Sequence, residues 1–351
     1  MWLLDDAPIM GGAEAFALRL SSWLNDVQPE RGTRIVCPAD SELARRARAL
    51  GIEVAATAYP LPAAGHALSA AWALWRLRAL LRRAPRGTLL VANTARAQAY
   101  AILAARTLRG SPRLVSLMHE QDSAQRAAAR WALQRWGRVA AVGDAGVKTY
   151  RDALPGKPVA RVTNFLTPDE VERAVSQRVA APGGERPRVG VLSRMFAGKG
   201  IVELVDELAA APHAWSELQV AAPFQDAAYT ESVRDRIAAH DLGARVSLLG
   251  NVADVAAFVA GVDVIIVPST ATEGQPTVVL EALAHGRPVI VRSHIWQSDY
   301  EGLPVQRYDD ASELAAALTA VESLRPAAAG ELIGRFDPAV VLATLEHTLA
   351  T

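Results

Sequence analysis

The sequence predicts two doubly wound α/β domains in tandem. Three observations predict it. The chain has 351 residues, too long for one ordinary domain and suited to two of about 100–200 residues. Short apolar runs alternate with longer amphipathic ones along its length. The alternation restarts after "SQRVAAPGGERPR" (176–188), a stretch rich in Gly, Pro and charge that reads as a linker.

In the first half the strand-like runs are "WLL", "TRIVCPA" (33–39), "IEVAATA" (52–58), "TLLVANT" (88–94), "RLVSLMH" (113–119), "RVAAVG" (138–143) and "VARVTN" (159–164). The first is too short for its pattern to mean much alone. Helical patterns lie between them. Ala13 to Asn25 places Phe16, Leu20, Trp23 and Leu24 on one face. In the second half the runs are "RVGVLS" (188–193), "LQVAAP" (218–223), "RVSLLG" (245–250), "DVIIVPS" (263–269) and "PVIVRS" (288–293). Near-continuous apolar strands alternating with helices imply parallel sheets covered on both faces. The expected domains are 1–165 and 166–335. A last helix, 336–351, has no strand after it and is expected to return to the first domain. Ligands of such sheets bind beyond the carboxyl ends of the strands, so the natural site is the cleft between the two domains.

Composition excludes several classes. Cys37 is the sole cysteine, so no internal disulfide can form and a reducing, cytoplasmic setting is expected. No Cys/His cluster suits zinc. A signal peptide is not expected from "MWLLDDAPIMGG". No uncharged apolar stretch reaches the length of a membrane span, since Arg96 and Asp263 interrupt the candidates. The net charge is zero, but residues 1–165 carry 23 Lys+Arg against 12 Asp+Glu and residues 166–351 carry 14 against 25. The basic half is expected to meet something anionic.

Three strand-to-helix junctions carry glycine: "MGGAEAFALRL", "RMFAGKGIVELVDEL" and "TEGQPTVVLEAL". Pro276 suits the first turn of a helix, with Glu273 in the preceding loop and Glu281 one turn in. The two glutamates therefore do not share one helical face. None of the three starts has a clear Ser, Thr, Asp or Asn as N-cap, which leaves backbone N–H groups for an anion. For any one junction the plain reading is a tight turn. Arg194 and Lys199 beside the second shift the balance toward a diphosphate.

Together, "GGAE", "SRMFAGKG" and "PSTATEGQPTVVLEALAHGRPVI" resemble the retaining family 4 glycosyltransferases of the GT-B fold, the last through their Glu-x7-Glu signature. The resemblance implies that Arg194 and Lys199 hold the donor diphosphate, with backbone of Gly11 and Gly12 closing over it. Thr277 and Val278 present N–H groups to the phosphates. Glu281 accepts from the ribose, and Asn251 and Val252 border the base. Glu273, Gly274 and Gln275 lie at the donor sugar, and His119 lies against the transferred sugar. Without the resemblance, His119 reads as a strand-end histidine bonded to nearby backbone. The remaining histidines, His66, His213, His240, His285, His294 and His347, read as structural. Phe165, Gln275 and Gly143 depart from the family's usual residues.

The implied reaction moves a sugar from a nucleotide diphosphate to an acceptor hydroxyl with retention. Oriented donors hold the leaving charge. No cofactor or metal is expected, because no Asp-x-Asp occurs. Asp5-Asp6 and Asp309-Asp310 are the nearest approaches, and the second reads as an N-cap region. A dinucleotide oxidoreductase lacks its Gly-x-Gly-x-x-Gly at the first junction. Two further functions suit such a chain, a sugar-nucleotide epimerase of similar fold and an inactive sugar-nucleotide-binding subunit. The acceptor, whether glycan, lipid or small molecule, is not legible, and no nucleic acid is expected. The basic stretch "AAWALWRLRALLRRAPR" (70–86) reads either as a covering helix with a solvated arginine face or as a peripheral contact with anionic membrane at the inner face.

Overall fold

The structure, a computed structural model, describes residues 1–7, 10–60, 67–106, 108, 113–119 and 127–349. His66 lies outside them. The chain forms two compact units, Met1–Phe165 with Pro338–Thr351, and Leu166–Asp337.

Among its described residues the first unit holds seven strands: β1 (Trp2–Leu4), β2 (Arg34–Cys37), β3 (Glu53–Ala56), β4 (Leu89–Ala92), β5 (Arg113–Met118), β6 (Val139–Val142) and β7 (Val159–Val162). All are parallel, in the order β3-β2-β1-β4-β5-β6-β7. The three-residue β1 sits inside the sheet, with Leu3 opposite Ile35 on one side and Val91 on the other. Its side chains are all buried, which is why it carries no alternation to read.

The helices are α1 (Gly12–Val27), α2 (Glu42–Ala49), α3 (Ala67–Arg82), α4 (Ala95–Ala105), α5 (Ala127–Trp136) and α6 (Gly143–Ala153). α1 buries Phe16, Leu20 and Leu24, the stripe its spacing predicts. α3 covers the sheet through Ala73, Leu77 and Leu81, while Trp72 and Trp75 remain exposed.

The second unit holds β8 (Arg188–Leu192), β9 (Glu217–Ala221), β10 (Val246–Leu248), β11 (Val264–Val267), β12 (Val289–Arg292) and β13 (Val305–Tyr308), all parallel, in the order β10-β9-β8-β11-β12-β13. Its helices are α7 (Pro168–Ser176), α8 (Ile201–Ala210), α9 (Ala227–Ala239), α10 (Val255–Ala260), α11 (Thr277–Ala284), α12 (Ala311–Ala320) and α13 (Ala329–Arg335). The sequence pattern shows five strands here and misses β13. That edge strand carries Gln306 and Arg307 between buried ends, so it lacks a continuous apolar run. A final helix, α14 (Pro338–His347), packs on β7 of the first unit, and its Glu346 bridges Arg31 at 2.7 Å.

The stretch 176–188 is not a free linker. Arg178 donates to the carbonyls of Leu283, Ala284 and Ala327. Buried Arg287 donates to the carbonyls of Val179 and Ala180. Asp263 accepts from the N–H groups of Gly183 and Arg188. The composition is linker-like, but these backbone groups are satisfied by the second unit.

Candidate functional site

In each sheet the strand order reverses once, between β1 and β4 in the first unit and between β8 and β11 in the second. Loops leaving the carboxyl ends of such neighbours diverge and open a crevice. The candidate residues gather at these two places.

In the second unit, β8 runs into the loop of Arg194 and Lys199, and β11 into the loop of Glu273. The loops are joined, since the N–H groups of Thr270 and Ala271 both donate to the Gly198 carbonyl at 3.1 Å. Gly200 makes the close approach. Its φ is +66°, and a Cβ there would lie 2.1 Å from the Pro268 carbonyl oxygen. Lys199 Nζ donates to Glu273 Oε1 at 2.6 Å, with both side chains largely buried. Phe196 gathers the cations. The Arg194 guanidinium lies 5.1 Å from its ring centroid and Lys199 Nζ 5.7 Å. Phe196 and the Lys199–Glu273 pair escape a sequence reading, because the partners of the pair are 74 residues apart.

α11 begins at Thr277, with Pro276 as the N-cap residue and no side-chain cap. Pro276 therefore sits one position earlier than its N1 preference suggests. Thr277 and Val278 are its first two residues; Val278 is half-buried with Thr277, as is Glu281 in the second turn. Gly274 and Gln275 are buried before it. Buried Gln297 donates to the Gly274 carbonyl at 2.8 Å and holds that loop. Asn251 and Val252 follow β10 at the same carboxyl edge, two strands out from β8. Beside them Gly250 packs near the ring of Phe224, which is 47% exposed. Phe224 is a second aromatic that spacing alone does not mark.

As expected, none of the three glycine junctions has a side-chain cap from its N-cap residue, but the α8 start is closed by a distant side chain and the α1 start in part by its own Glu14. At α1 the Glu14 carboxylate accepts from the Gly11 N–H at 2.7 Å. Gly11 is the N-cap residue and Gly12 the first of the helix. At α8 the Tyr229 hydroxyl accepts from the N–H groups of Ile201 and Val202, at 2.9 and 3.3 Å. The α11 start has no side-chain cap.

In the first unit a polar chain crosses the switch point, its Asp5 and Asn93 buried and its His119 half-buried. Asp5 follows β1, Asn93 follows β4 and His119 follows β5. Asn93 Nδ2 donates to Asp5 Oδ2 at 2.7 Å and to the Ala13 carbonyl at 2.8 Å. The Ala13 carbonyl only accepts, so the Asn93 amide orientation follows from the network. Asn93 Oδ1, 2.8 Å from His119 Nε2, then requires that nitrogen to donate. His119 is thus the Nε2–H tautomer with Nδ1 as an acceptor. Burial lowers its pKa to about 3, so the ring is neutral. Burial also raises Asp5 to about 6, against the hydrogen bonds from Asn93 and Ala7 that favour its ionised form. Asp6 bonds Thr94 and pairs with Arg96 at 3.1 Å.

Two departures acquire reasons. Phe165 is buried edge-on to Phe16, which is itself edge-on to His119. Gly143 has φ +74° at the start of α6, a conformation costly for serine. Asp310 caps α12 through the N–H groups of Ser312 and Glu313, as its position predicts. Among the described residues no group of three or more His, Cys, Asp or Glu side chains is placed to hold a metal ion, and no helix is long and apolar enough to cross a membrane.

Residues 186–323 match the family described as glycosyl transferases group 1. No curated protein sequence matches the chain. Among solved structures, the chain is similar to Anabaena HepE in complex with UDP and glucose, at 20% identity and TM-score 0.75, covering 100% of this chain and 99% of that one. It is similar to a glycosyltransferase from Rickettsia africae at 16% identity and TM-score 0.73, covering 99% and 92%. It is also similar to a sucrose-phosphate synthase from Thermosynechococcus elongatus at 15% identity and TM-score 0.68, covering 99% and 96%. With seven and six parallel strands in its two sheets, the chain has the GT-B fold of these structures.

Proposed function

We propose that this chain is a retaining glycosyltransferase that moves a sugar from a nucleotide diphosphate to an acceptor hydroxyl without a divalent metal. One observation carries the reading. At the β8/β11 switch point, two hydrogen-bonded loops bring Lys199 onto Glu273 beside a helix start with no side-chain cap, inside the stretch that matches the group 1 family.

In this reading Arg194 and Lys199 hold the diphosphate, and the N–H groups of Thr277 and Val278 complete the positive field. Glu281 takes the ribose hydroxyls, and Asn251 and Val252 border the base. Before the donor arrives, Lys199 and Glu273 neutralise each other. A diphosphate competes for Lys199 and frees the Glu273 carboxylate for sugar hydroxyls. In the first unit Gly11 and Gly12 open α1 toward an anion, and His119 Nδ1 accepts a hydrogen bond from a hydroxyl. No cofactor is assigned.

HepE was solved with UDP and glucose, which makes UDP-glucose the first donor to test. A thermal-shift screen of UDP-, GDP-, ADP- and TDP-sugars should find one that stabilises the fold, by about 2.7 kcal/mol at a hundredfold excess over Kd. Transfer should then persist in excess EDTA, with the anomeric configuration retained by NMR. No stabilisation by any of the four and no transfer would refute the reading. Loss of activity in EDTA, restored by Mg²⁺, would refute the metal-free part.

The acceptor side belongs to the basic first unit. Exposed Trp72 and Trp75, with the Arg76 guanidinium 4.6 Å from the Trp72 ring centroid, support a peripheral contact with anionic membrane. Sedimentation with anionic vesicles at low salt tests it. No uptake would leave α3 as a covering helix only.

A further inference from the structure

We propose that the first unit carries a second anion site, for a phosphate-bearing ligand, at the amino edge of its sheet. The site is a cavity of about 530 Å³ lined by Arg106, Arg113, Arg135 and Arg138 with Trp136 and Glu346. Arg113 begins β5 and Arg138 immediately precedes β6. Arg106 follows the last residue of α4, and Arg135 and Trp136 end α5. Asp5, Asn93 and His119 follow the carboxyl ends of strands in the same sheet. The cavity is therefore at the opposite edge from the candidate site.

Four arginines converge on this one cavity. Elsewhere many arginines are paired, as Arg34 is with Glu53, Arg96 with Asp6, Arg161 with Asp144 and Arg292 with Glu207. None of the four cavity guanidinia makes an ion pair or a hydrogen bond to a carbonyl among the described residues. Glu346, the single carboxylate among the described lining residues, is bridged to Arg31 at 2.7 Å. Arginines at helix carboxyl ends can simply offset the helix dipole, and Arg106 and Arg135 fit that account. Arg113 and Arg138 stand at strand starts and do not.

The Arg106 guanidinium lies 4.1 Å from the ring centroid of Trp136. A guanidinium stacked this way keeps its N–H fork edge-on and available. The Trp136 ring is held in turn by Trp131, edge-on at 4.7 Å. Four like charges around one cavity repel each other until an anion joins them. Guanidinium forks match phosphate oxygens bidentately, and the volume lies within the range of small-molecule pockets. The class is therefore an oligophosphate, from either a soluble compound or a lipid headgroup. The inference does not depend on glycosyl transfer.

The probe is inorganic pyrophosphate, titrated calorimetrically into the full chain at low salt. Arg194→Ala serves as the background, so that any binding at the donor site is weakened. One equivalent should bind, and Arg135→Gln with Arg138→Gln should weaken it at least tenfold. Arg113→Gln alone, at an exposed position, should act in the same direction and covers the case in which the double variant fails to fold. Equal affinity in the Arg194→Ala protein and in all arginine variants overturns the site, whatever the outcome with nucleotide sugars. Phosphatidylglycerol vesicles then identify the source. Uptake that pyrophosphate reverses assigns a lipid headgroup, and pyrophosphate binding without uptake assigns a soluble phosphate compound.

Discussion

Gly200→Ala is the most informative single substitution in the second unit. Gly200 has φ +66° and is the N-cap residue of α8. An added Cβ would stand 2.1 Å from the Pro268 carbonyl oxygen and 3.2 Å from Thr270 Cγ2. The left-handed conformation alone costs an alanine about 1–2 kcal/mol. The clash is with backbone, so it is relieved only by moving the end of β11, at about 1–3 kcal/mol for overpacking. That carbonyl also accepts from Arg292 Nε at 3.0 Å, and disturbing it adds to the cost. A loss of about 3–5 kcal/mol is expected, or about 10 °C in the melting of a unit this size. Gly302 is the control, with φ +77° and nothing within 4 Å of an added Cβ. Gly302→Ala should cost only about 1–2 kcal/mol. Urea denaturation of both variants, followed by circular dichroism, reads the difference. Equal costs for the two alanines would refute the close approach of the two loops. Gly200→Ala should also lose donor stabilisation in the thermal-shift screen, because Lys199 precedes it.

A double-mutant cycle on Lys199→Met and Glu273→Gln should give a coupling of about 1–2 kcal/mol in the unliganded protein, and additive single effects would mean that the ion pair is not held in solution. Arg178→Ala should destabilise the second unit by about 2–3 kcal/mol, since it removes the side-chain donor of the Leu283, Ala284 and Ala327 carbonyls, of which Leu283 keeps the Gly286 N–H; a change below about 0.5 kcal/mol would mean that 176–188 is a linker after all. His119 has a folded pKa of about 3 against an ordinary 6.5, so its stabilising contribution is full above about pH 6.5 and is lost as pH falls. Asp5, raised to about 6, acts in the opposite sense, its contribution being lost as pH rises through about 6. Between pH 7 and 5, wild type should therefore lose more melting temperature than His119→Gln, and parallel curves would mean that the ring is solvated. Glu281→Ala should mainly raise KM for the donor, whereas Glu273→Ala should mainly lower kcat; effects on KM alone in both would undo that division of roles.

Much of the fold was legible because buried parallel strands are locally apolar. β4, β6 and β11 read as uninterrupted hydrophobic runs since both their faces are covered. The stripe of α1 was legible because Phe16, Leu20 and Leu24 repeat at the helical period. β13 was not, because an edge strand tolerates Gln306 and Arg307. One partner at a helix start left a trace in sequence. Glu14 stands three residues after Gly11, the spacing of a side chain that reaches back to the N-cap N–H.

The sequence by itself determined the two α/β halves, the restart between them, the charge division and the loops that carry Arg194, Lys199 and Glu273. Tertiary structure alone decided what those residues touch. Tyr229 closes the α8 start from 28 residues away, and Asn93 sets the tautomer of His119 from the end of a neighbouring strand. Arg178 and Asp263 stitch down a segment whose composition suits a linker. Periodicity records which face of an element meets apolar neighbours. It holds no record of which distant side chain meets it there, because that depends on strand order and register. These arise only when the whole sheet packs.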